Sequence, residues 1–89
     1  MTDYGTMRAP VADGGLQLLL LERFGLTVRQ SDVARALAEG LTYDEVAERL
    51  GISPHTVHTH VKNIHERTGI RSTRRLLARV NAVRLGWDR

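Results

Sequence analysis

Helix starts and stops recur along this chain with a regularity that leaves little room for anything but short helices. Thr27 is followed three residues later by Gln30, and Thr42 by Glu45. That is the spacing of a capping box, in which the threonine oxygen takes an orphan amide and the partner side chain reaches back to the cap. Ser53-Pro54 joins a capping serine to a residue whose fixed φ suits the first helical position, and Ser72 offers a further cap. Gly40, Gly51, Gly69 and Gly86 stand where each helix should end. Between these marks lie apolar sets at helical spacing: Val33, Ala36 and Leu37; Val46, Ala47 and Leu50; Val57, Val61 and Ile64; Leu76, Leu77, Val80 and Val83. The spacing predicts helices over about 28–39, 42–50, 53–68 and from Ser72 to near Gly86, with no strand alternation and no long internal repeat. The fold class expected is all-α, a small four-helix bundle with room for one short N-terminal helix in addition.

With 89 residues there is room for one small domain, and without cysteine neither a disulfide nor a thiolate metal site can supplement its core. Residues 1–15 mix glycine, proline and small polar residues without apolar period and read as a flexible arm. Residues 16–25 read as a short apolar helix or linker, because the leucines from Leu16 to Leu21 surround a helix axis more than they stripe it. Residues 26–89 are left as the domain. The leucine run, interrupted by Gln17, is far too short to span a bilayer, and no basic region precedes it as in a secretory signal. No membrane association is expected, and the cytoplasm is the expected location.

The formal charge of +3 is unevenly spread. Residues 1–26 carry Arg8 and Arg23 against Asp3, Asp13 and Glu22, so the excess lies in the remainder. After Gly51, Lys62, Arg67, Arg71, Arg74, Arg75, Arg79, Arg84 and Arg89 face only Glu66 and Asp88. A polarised basic end of this kind suits a polyanion, nucleic acid first. All four histidines lie between His55 and His65. At 100° per residue Val57, Val61 and Ile64 form one seam, while His55, His58, Thr59, Lys62 and Glu66 stand roughly opposite, with Asn63 toward one edge. His60 and His65 fall on the two borders, where His60 is expected to orient the turn by a hydrogen bond. Only His55 and His58 have the i, i+3 spacing of a helical metal pair, and no thiolate or nearby carboxylate supports them. No metal and no cofactor is expected. Nor does a nucleophile sit beside a histidine with an orienting third group, so the chain is not expected to be an enzyme.

Two helices joined by Gly51-Ile52, the second with an open face of donors, form a helix-turn-helix pair. The text LTVRQSDVARALAEGLTYDEVAERLGISPHTVHTHVKNIHERTGIRS resembles the LuxR-type (NarL-like, GerE-like) DNA-binding domain of bacterial transcription regulators. The matching features are Leu26-Thr27 and Arg29, Gly40-Leu41, Glu45-Val46-Ala47, Leu50-Gly51-Ile52-Ser53, Thr56-Val57, His60, and Gly69-Ile70. They cover roughly residues 26–85. The resemblance implies a four-helix helix-turn-helix bundle whose third helix reads the major groove of double-stranded DNA, and a homodimer on an inverted repeat. It places base reading on His58, Thr59 and Lys62, and DNA backbone contacts on Thr42, Tyr43, Ser53, His55, Thr56, Asn63 and Arg71. The fourth helix would pair with its copy through Leu76, Leu77, Val80 and Val83, a stripe expected to serve both core and partner.

This sequence departs from the family pattern at His58, where a basic residue is common, and at Gln30-Ser31, where an acidic-basic pair is frequent. Most members also carry a receiver or ligand-binding domain ahead of the reading domain. The 25 residues before the match cannot hold one, so a stand-alone regulator or a piece of a larger one is expected. Two rival readings share these residues: a promoter binder like sigma-factor region 4, and a protein-interaction module using the fourth helix and the leucine segment. Gly69-Ile70-Arg71-Ser72 leading into a fourth amphipathic helix favours the LuxR type over the sigma factor.

Overall fold

The computed structural model describes residues 13–86, which form five helices and, among those residues, no strand. They are α1 (Asp13–Phe24), α2 (Val28–Ala38), α3 (Tyr43–Leu50), α4 (Pro54–Thr68) and α5 (Thr73–Arg84). The four helices expected from the punctuation are α2 to α5, each within a residue or so of its expected bounds. Both capping boxes form. Gln30 N donates to Thr27 Oγ1 at 3.1 Å while Thr27 N donates to Gln30 Oε1 at 3.0 Å. Thr42 and Glu45 repeat the exchange at 3.2 and 2.8 Å. Ser53 and Ser72 take the amides of Thr56 and Arg75.

The fifth helix is α1, which begins at Asp13, inside the stretch expected to be an arm. Residues 1–12 and Trp87 lie outside the described residues. Two leucines four apart, Leu16 and Leu20, face inward and are fully buried, and Leu18 on the far side is 61% exposed. The ring of leucines thus acts as a one-sided stripe once a neighbour covers one side. Gly25 then turns the chain at φ +66°, a left-handed conformation in which any side chain would be strained. Its carbonyl accepts from Arg67 Nη1 at 2.6 Å, tying this corner to the end of α4.

α2 packs against all four other helices. Its buried residues Val33, Ala34, Ala36 and Leu37 are mostly small, which lets its neighbours approach closely. Ser31, also fully buried, satisfies its hydroxyl on the Val28 carbonyl at 2.7 Å. Around these gather Leu16 and Leu20 of α1, Val46 and Ala47 of α3, Val57, Val61 and Ile64 of α4, and Leu76, Val80 and Val83 of α5. The expected inward residues of each helix are all buried or packed against this core.

Burial of α1 generates a test. Leu20→Ala should cost about 2–5 kcal/mol in denaturant unfolding, while Leu18→Ala should stay within about 0.5 kcal/mol. Equal small effects at both positions would show that α1 is an appendage and not part of the domain.

Candidate nucleic-acid interface

The helix-turn-helix pair is held at both sides of its turn. Gly51 closes α3 at φ +68°, and Ile52 N bonds back to the Ala47 carbonyl at 3.0 Å. From α2, Arg29 Nη2 donates to the Leu50 carbonyl at 2.9 Å, satisfying an orphan acceptor at the end of α3. Arg29 also lies 3.5 Å from Asp32, whose carboxylate takes Arg35 at 2.8 Å and Gln17 of α1 at 3.0 Å. Asp44 and Glu45 in the first turn of α3 and Arg49 in its last turn complement its dipole.

α4 turns its seam of Val57, Val61 and Ile64 onto α2 and α3 and leaves the opposite side open. His55, His58, Thr59, Lys62 and Asn63 are exposed there. His58 rests on Tyr43, the first residue of α3, with ring centroids 4.4 Å apart and planes at 66°. Thr59 donates its hydroxyl back to the His55 carbonyl at 3.2 Å. Ser53 and Thr56 are linked hydroxyl to hydroxyl at 2.9 Å at the start of the helix, and Thr56 is half-buried. Tyr43, His58, Lys62, His65, Glu66 and Arg71 line a groove of about 530 Å³ along α3, α4 and the α4–α5 turn. Asn63 lies on the other flank, beside Gln30, Glu66 and Arg67. Glu66, one turn beyond Lys62, puts negative charge on the C-terminal half of this face and favours approach of a polyanion at the N-terminal half.

Of the residues singled out from sequence for base reading, His58, Thr59 and Lys62 share one open surface, and Tyr43 and Arg71 border the same groove. Thr42 is exposed at the start of α3, where its hydroxyl is engaged in the capping box. The fourth-helix stripe comes out differently. Leu76, Val80 and Val83 are 0–2% exposed inside this chain's own core, so they have no surface to offer a partner. Only Leu77 of that set is half-exposed. Both α1 and α2 pack on α5, and the stripe lies in the core they share. The outer side of α5 carries Arg74, Ala78 and, just past its end, Leu85.

The hydrogen bonds expected of His60 belong to His65. His65 Nδ1 donates to the Ile70 carbonyl, and its Nε2 pairs with Thr73 Oγ1 at 3.0 Å, which fixes the turn into α5. This contact spans five and eight residues across Gly69, a spacing that no helical or capping rule flags. Among the described residues no three histidine, aspartate or glutamate side chains come together as metal ligands.

The family of bacterial regulatory proteins named luxR (GerE) matches residues 25–80. The chain is 47% identical over 45 residues to the transcriptional regulatory protein UhpA of Escherichia coli (strain K12), covering 51% of this chain and 23% of that protein. It is 42% identical over 45 residues to the probable transcriptional regulatory protein SgaR of Hyphomicrobium methylovorum, covering 51% and 21%. The nitrate/nitrite response regulator protein NarP of Escherichia coli (strain K12) is 40% identical over 47 residues, covering 53% and 22%. The chain thus spans less than a quarter of the length of these relatives. No solved structure gives a significant match. α1 lies ahead of the matched region, yet its leucines belong to the same core. With the capped helix pair, its open donor face and this match over most of its length, the chain belongs to the luxR family of bacterial regulatory proteins and carries that family's helix-turn-helix DNA-binding domain.

Proposed function

We propose that this chain is a sequence-specific transcription regulator that binds double-stranded DNA as a homodimer on an inverted repeat, in the cytoplasm and without enzymatic activity. The observation that carries the reading is the open face of α4, where His58, Thr59 and Lys62 project together from a helix pair clamped by Arg29. A helix this size fits the major groove, about 12 Å wide, and its N-terminal residues then meet base edges. Lys62 donates to guanine acceptors, while Thr42, Tyr43, Ser53, His55, Thr56, Asn63 and Arg71 take the flanking phosphates. No helix among the described residues is long and apolar enough to cross a membrane.

In this reading the two copies meet through Leu77 and the outer side of α5, not through its buried stripe. That side carries Arg74 and no carboxylate, since α5 contains four arginines and no acidic residue. Like charges oppose pairing in free solution, and DNA phosphates between the copies would offset them.

Selection from a random duplex pool tests the reading, with an enriched palindrome occupied by two copies as the expected result. No enrichment, or one copy per site in sedimentation, would overturn it. Lys62→Ala should lower affinity for the selected duplex about tenfold and relax preference at one base pair. Arg71→Ala should weaken all duplexes alike and reduce the slope of log K against log salt by about 0.9.

A further inference from the structure

We propose that Tyr43 is a positioning residue for base recognition: its ring holds the His58 imidazole in the orientation that reads a guanine. The inference rests on the DNA-binding reading above and adds to it a residue of α3 that sets specificity through a residue of α4. His58 is one of this chain's own departures, standing where the family commonly has a basic residue.

An exposed histidine on a helix is a poor reader by itself, because its ring turns about two torsions and must be immobilised on binding. His58 does not stand alone. The Tyr43 ring meets it edge to face at a centroid separation of 4.4 Å, a close contact just under the usual range of about 4.5–7 Å for such pairs. Tyr43 is itself well anchored. It is the first residue of α3, it lies within the Thr42–Glu45 capping box, and it is half-buried against the core. The orientation of His58 is therefore inherited from the start of α3 and not from α4 alone. The base best matched to a fixed imidazole N–H is guanine, whose O6 and N7 are both acceptors on the major-groove edge.

Tyr43 thus has two separable parts. Its hydroxyl is placed for a backbone phosphate, which carries no sequence information, while its ring acts through His58 on sequence. Lys62 and Arg71 line the same groove and supply charge.

The test uses the full chain and the duplex recovered by selection, together with duplexes carrying each single base-pair change, at constant pH and salt. Tyr43→Phe, which keeps the ring, should weaken all duplexes by one common factor and leave base preference unchanged. Tyr43→Leu, which keeps apolar bulk against the core, should reduce discrimination at one guanine-containing base pair about threefold to tenfold. In a His58→Ala background the same Tyr43→Leu change should leave discrimination at that pair untouched. A DNA-free reading comes from the His58 ring protons in NMR, whose ring-current shift should persist in Tyr43→Phe and vanish in Tyr43→Leu.

Full discrimination in Tyr43→Leu, or an equal loss with and without His58, would overturn the proposal. So would a free-protein spectrum in which Tyr43→Leu leaves the His58 ring unmoved, even if the duplex is bound specifically. Loss of the shift on Tyr43→Leu combined with no sequence preference in the parent chain would instead locate the failure in the DNA-binding reading, and would remove this role of Tyr43 with it.

Discussion

Everything in this molecule depends on α2 being narrow enough to be surrounded. With alanines at two of its four buried apolar positions, it accepts a helix on every side, and the other elements take their places from it. A domain this small cannot build a second core, so the one helix that touches all others fixes the angle at which α3 and α4 leave it. The polar side of the same helix adds direction: Asp32 gathers Gln17, Arg29 and Arg35, and Arg29 reaches on to the last carbonyl of α3. The reading pair is therefore braced from behind by packing and by charge-assisted hydrogen bonds at once.

Four of the five helices were legible in the sequence because what marks them is local. Thr27 with Gln30, Thr42 with Glu45, Ser53 with Pro54, and Ser72 each act within one turn, and such chemistry does not wait for tertiary contacts. The open face of α4 was legible for the same reason, since three buried aliphatics define its opposite. What escaped depends on a neighbour. The leucines of α1 have no preferred side until α2 and α5 supply one, and Asp13, two glycines ahead of Leu16, gives a weak start signal. The full burial of Leu76, Val80 and Val83 escaped for the same reason: with residues 16–25 read as a short helix or linker of no fixed side, their stripe was given both a core and a partner to meet. The hydrogen bonding expected of His60 falls to His65 because both sit on borders of α4, and which border meets the α4–α5 turn is decided by where Gly69 sends the chain.

The family match and the core do not share a boundary. Residues 25–80 carry the match, while the packing unit begins at Asp13, so a reading domain cut at the edge of the match would lose two fully buried leucines. Gly25 marks the join: a left-handed corner whose carbonyl is held by Arg67 from the far end of the recognition helix. The helix that offers its N-terminal half for the proposed DNA contact thus secures, with its C-terminal half, the element that lies outside the match.

The turn of the Thr59 hydroxyl toward the His55 carbonyl limits what this residue can say to a base. A hydroxyl has one proton to give, and here the backbone takes it, so on the proposed reading what remains for DNA is its lone pairs. The groove features that answer lone pairs are the amino groups of adenine and cytosine. A side chain that could otherwise both give and take is thereby narrowed to one half of that vocabulary.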